Sequence, residues 1–154
     1  MKKIIWICLF SLLCGCTSRS EPVGMANPFS DFDTLQQAEE SAGFSMNLPE
    51  KIGEYTISIY RTQPGKMLEV LYVRENQKIR VRKTQTEEDI SGYYGEAESK
   101  DIPMQDIVIH AVLQQDQVIN AYWIHEGCSY SFSCDQGVSE QILMEFADVV
   151  MQQE

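Results

Sequence analysis

Cysteine and histidine are the side chains that most often carry covalent or metal chemistry, and this chain holds five of the first and two of the second in 154 residues. Three cysteines, Cys8, Cys14 and Cys16, crowd the N-terminus, and the others, Cys128 and Cys134, stand six apart near the C-terminus. His125 lies three residues before Cys128, and His110 is the second imidazole. A zinc site takes three or four ligands, and these residues do not complete such a set. His125 beside Cys128 would suit a nucleophile and its base, but a histidine and a cysteine packed near a hairpin turn fit the same spacing. No GxSxG, HExxH or phosphate-binding glycine loop occurs. The reading is therefore no catalytic residue, no metal and no cofactor.

The N-terminal cysteines follow a different logic. Lys2 and Lys3 precede an apolar run, Ile4 to Leu13, and the run ends in Leu-Cys-Gly-Cys. Such a run is too short to span a bilayer, which takes roughly 20 residues. A basic start, an apolar middle and a small residue before a cut are the parts of an export signal. Gly15 supplies the small residue before Cys16, whereas Leu13 before Cys14 is too large.

"LLCGC" resembles the lipobox of bacterial lipoproteins. Leu13 and Gly15 match its usual residues, and Cys14 departs from the commonest residue at its place. The resemblance implies that residues 1–15 are a signal peptide. Cys16 is then the lipid-bearing first mature residue, and the domain is held on the outer face of the cell membrane. Residues 17–28, "TSRSEPVGMANP", are polar and rich in turn formers, so 16–28 reads as a flexible tether and 29–154 as one extracytoplasmic domain.

The chain carries 12 Lys and Arg against 23 Asp and Glu, a net charge of −11. Loss of Lys2 and Lys3 with the signal deepens it. A surface this acidic argues against nucleic acid and against a basic lipid-binding patch.

Periodicity sets the elements. Ser30 or Asp33 is expected to cap a helix through "TLQQAEESA" that Gly43 ends, with Phe32, Leu35, Ala38 and Ala42 on its packing side. Strands are expected at 54–62, with Tyr55, Ile57 and Ile59 on one side, and at 67–74 and 78–84, joined by short turns. In the third, Ile79 and Val81 face one way and Arg80 and Arg82 the other. Residues 87–104 read as a long polar loop, and strands are expected at 105–114, 118–126 and 127–134. A two-residue turn at Glu126-Gly127 would pair Trp123 with Tyr130, Ala121 with Phe132 and His125 with Cys128. Cys128 and Cys134 then share one strand, about 20 Å apart at roughly 3.3 Å per residue, beyond the ~7 Å reach of a disulfide. They are expected to be unpaired. A last helix is expected to be capped by Ser139, with Ile142, Leu143, Phe146, Val149 and Val150 on its apolar side. The sum is an α+β fold: one curved antiparallel sheet of about six strands with an N-terminal and a C-terminal helix on one face.

The order of "AEESAGFSMNLPE", "KIRVRKTQTEEDISGYYG", "NAYWIHEGCSYSFSC" and "VSEQILMEFADVV" is similar to an extracytoplasmic domain family of unknown function. That family is found on lipoproteins of Gram-positive bacteria and on membrane regulators of the anti-sigma type. The resemblance implies a fold and a location, and it brings no catalytic residues. Three functions follow: a non-catalytic binding or sensory module, a carrier of an apolar, lipid-like ligand between sheet and helices, and an enzyme built on His125 or the tyrosine loop. The first is favoured, with Tyr93 and Tyr94 as the contact with an extracytoplasmic partner. Arg80, Arg82 and Lys83 form a small basic stripe that suits either an anion or neighbouring carboxylates.

Overall fold

The computed structural model describes residues 27–46 and 48–152. The signal segment 1–15, Cys16 and nearly all of the tether lie outside the described residues. Two strands the sequence did not announce flank the first helix: β1 (Ser30–Phe32) precedes α1 (Leu35–Ala42), and β2 (Lys51–Ile52) follows it. Three hairpin strands come next, β3 (Tyr55–Gln63), β4 (Met67–Arg74) and β5 (Gln77–Thr84). The second run is β6 (Glu98–Met104), β7 (Ile107–Gln114), β8 (Gln117–His125) and β9 (Cys128–Val138), and α2 (Glu140–Met151) closes the chain.

The nine strands form one open antiparallel sheet in the order β1-β3-β4-β5-β9-β8-β7-β6, with β2 also on β3. The expectation of about six strands is corrected to nine. β1 and β2 are too short for alternation to reveal. β6 hides because its edge position leaves most of its residues exposed and polar. The last seven residues of the expected 87–104 loop are thus a strand.

The hairpin register holds as read: Trp123 pairs with Tyr130, Ala121 with Phe132 and His125 with Cys128. Glu126 and Gly127 both take positive φ, 48° and 74°, the conformation of a two-residue turn whose twist matches its strands. Trp123 and Tyr130 stack with centroids 5.6 Å apart. Cys128 and Cys134 are both free thiols on β9.

Apolar side chains collect on one face. Phe146 of α2 meets Tyr55, Tyr72 and Phe132 edge-on, with centroids 5.7, 5.2 and 5.6 Å away. These rings pack together between α2 and the sheet. The Ser41 and Thr62 hydroxyls, 2.8 Å apart, fasten α1 over the same face. Thr62 lies opposite buried Leu68. Both helices therefore cover one side of the sheet, as expected.

Three local readings are corrected. Thr34, not Ser30 or Asp33, caps α1: its hydroxyl accepts from the Gln37 N–H at 3.3 Å, while Ser30 is already in β1. Ile59 leaves the face of Tyr55 and Ile57 because the register shifts between Ile57 and Ile59, and such a bulge flips the alternation behind it. Lys83 pairs with Tyr130 on the helix-covered side, away from Arg80 and Arg82, and burial pulls its amine below the usual lysine range.

Candidate functional site

The connection from β5 to β6 decides what the other face does. β5 lies at the centre of the sheet, beside β9, and β6 lies at the far edge. Residues 85–97 must therefore cross β9, β8 and β7. They must also come back along them, since Arg82 near the end of β5 sits in one cross-sheet row with Asp101 in the middle of β6. The helices occupy the inner face, so the crossing runs over the outer one. It is fastened there: the Asn120 Nδ2 donates to the Ser91 carbonyl at 3.1 Å, and Asp89 folds its own turn by accepting the Ser91 N–H at 2.7 Å. Ser129 and Ser131, on the outer side of β9, are buried beneath it.

That cross-sheet row is polar along its whole length. On one side Asp31 pairs with Arg61, Arg61 with Glu69 and Glu69 with Arg82. Contacts of 2.9, 3.5 and 2.7 Å link their charges, and Glu69 is only 2% exposed. Arg80 separately holds Asp135 at 2.8 Å, and this hydrogen bond keeps the Asp135 carboxyl below the usual carboxylate range. The stripe expected to take an anion or balance carboxylates does the latter at Arg80 and Arg82.

Past Ser131 the row turns aromatic, with Tyr122, His110 and Asp101. The His110 and Tyr122 rings stack at 4.8 Å. His110 Nδ1 lies 2.8 Å from an Asp101 oxygen, with both side chains well exposed. Together with Tyr93 and Asn120 they line a pocket of about 210 Å³ under the crossing loop. Tyr93 is half-buried. Its ring folds back over Gly95, where any Cβ would stand 2.6 Å from the phenolic oxygen. Tyr94 points the other way and is 98% exposed.

No family model matches the chain, and no curated protein or solved structure matches it.

The residues singled out in the sequence separate. Tyr93 and Tyr94, adjacent in the chain, have opposite environments. His125 and Cys128 are register partners at the far hairpin, both half-buried, and no hydrogen bond joins their side chains. The sequence reading weighed His110 only as a further imidazole for a metal site and passed over Asp101, Tyr122 and Asn120. They come from three strands, and only the order β9-β8-β7-β6 brings them together. The available signal was the outward slot of each alternating strand: His110 among Ile107, Ile109 and Ala111, and Tyr122 between Ala121 and Trp123.

Three larger hollows, about 550 Å³ along the bulged edge of β3, about 430 Å³ by Phe44 and Met67 and about 340 Å³ by Arg74 and Gln136, contain no buried polar atom lacking a partner. Among the described residues, no three His, Cys, Asp or Glu side chains are grouped to hold a metal ion, and no helix is long and apolar enough to cross a membrane.

Proposed function

We propose that the chain is a lipid-tethered extracytoplasmic module that works by binding, with no chemistry of its own, and that residues 85–97 form its contact surface. The observation that carries this is the contrast inside that segment. A crossing fastened by Ser91 to Asn120 holds up a tyrosine that is 98% exposed. Tyrosine offers a large, stiff contact area at small entropic cost, and a fastened loop gives up little freedom on binding. The His110–Asp101 pair lends no support to an enzyme. Among the described residues, no serine, threonine or cysteine is hydrogen-bonded to the His110 ring. The lipobox-like "LLCGC" supports a place for the domain at the membrane's outer face.

A photoreactive phenylalanine analogue at position 94, irradiated in intact cells, tests the reading. The expected result is one discrete adduct in the membrane fraction, absent when the same analogue replaces Met144 on the exposed side of α2. Equal labelling from both positions, or none from 94, contradicts it.

A further inference from the structure

The pocket beneath the crossing loop is rich in acceptors and holds no lysine or arginine. Asn120 is 7% exposed, and while its Nδ2 is spent on the Ser91 carbonyl, its Oδ1 has no hydrogen-bond partner. Buried acceptors are nearly always satisfied, and an orphan one costs free energy until a donor reaches it. The groups around it include further acceptors: Asp89 and Asp101 contribute carboxylates, each with one oxygen engaged, by the Ser91 N–H and by His110. Tyr93 and Tyr122 contribute ring faces, and their hydroxyls, like those of Ser91 and Ser99, both donate and accept. No lysine or arginine lines the pocket, and the chain as a whole carries −11.

We infer that this pocket binds one organic cation, a primary ammonium or guanidinium head group. Such a group brings several N–H donors and no acceptor, which complements Asn120 and the two carboxylates. It also gains from aromatic faces within about 6 Å, and His110 stacked on Tyr122 fixes one wall of the site. A volume of about 210 Å³ is below the ~300 Å³ at which sites for whole drug-sized ligands begin, so it suits a single head group. The acidic surface concentrates cations around it. The head group can belong to a small amine or to a lysine or arginine side chain of a partner protein. This inference rests on the binding-module reading and adds a ligand class to it.

The test is a titration of the full chain in detergent micelles, following the His110 ring resonances by NMR. The probes are butylammonium, methylguanidinium, an uncharged alcohol of the same length, and a short peptide with one arginine. Saturating shifts with the free cations, absent with the alcohol, mark a small-molecule site. Saturation by the peptide alone assigns the head group to a partner's side chain. In either case Asp101→Asn and Asp89→Asn, at positions exposed enough to leave folding intact, each weaken binding about tenfold, the worth of one charge-assisted hydrogen bond. Asn120→Ala does the same while the unfolding midpoint shows that the domain remains folded. No saturation by any probe, equal response to the alcohol, or unchanged affinity in all three variants overturns the inference. Position-94 labelling that persists in that event leaves the binding-module reading standing.

Discussion

Glu69 shows how a single residue organises the outer face. Its carboxylate is buried to 2% between the Arg61 and Arg82 guanidiniums, so its desolvation is offset by two charged partners. Removing one member of a buried ionic set strands the others. Glu69→Ala is therefore expected to destabilise the domain by about 2–3 kcal/mol, below the roughly 3–5 kcal/mol of a fully buried pair, because both arginines keep some contact with water. Urea unfolding followed by tryptophan fluorescence reads this directly, since Trp123 is fully buried in the same sheet. A loss under about 0.5 kcal/mol, typical of exposed surface substitutions, would show that the arginines stay satisfied without it. The sequence did give the alternation of Arg80 and Arg82 against Ile79 and Val81. It did not give their partners: Glu69 lies one strand away on β4, and only the register between β4 and β5 sets it opposite Arg82.

At the scale of elements, what was legible followed from local rules. The Glu126-Gly127 turn and the aromatic pair it implies stand as read, because a two-residue turn fixes register without outside help. The C-terminal helix stands because its apolar stripe, through Leu143, Phe146 and Val150, is long and regular. Three things were not legible. β1 pairs only three residues and β2 only two, β6 carries edge chemistry, and the bulge at Ser58 breaks the alternation from which Ile59 was placed. The site was hidden for the same reason, since its walls come from β6, β7, β8 and a crossing loop whose path depends on β6 being a strand. A second irregularity lies in β9, where Val118 pairs with Val138 while Asn120 pairs with Ser133. Gly137 makes it possible. Its φ is +72°, and a Cβ there would stand 2.7 Å from the Gln117 Cβ. Gly137→Ala combines backbone strain with a clash, so a loss of about 1–3 kcal/mol is expected. Gly43→Ala is the comparison, with positive φ but open space around the position, and thermal unfolding should show the smaller loss there.

The whole molecule is an asymmetric plate. Helices cover one face, a crossing loop covers part of the other, and the polar row spans both halves, about 34 Å from β1 to β6 at ~4.8 Å per strand. The chain enters the described structure beside β1, and the tyrosine loop and the cation pocket lie toward the opposite edge. The proposed lipid-tethered reading leaves that edge for a partner, and it depends on an anchored N-terminus. Detergent-phase partitioning of the full chain against Cys16→Ser is therefore the most direct measurement. Multiple acyl chains anchor stably where one holds only marginally. Wild-type protein is accordingly expected in the detergent phase, and Cys16→Ser in the aqueous phase with its signal segment uncut. An unchanged partition, or a wild-type protein that enters the aqueous phase, would contradict a lipid-tethered module.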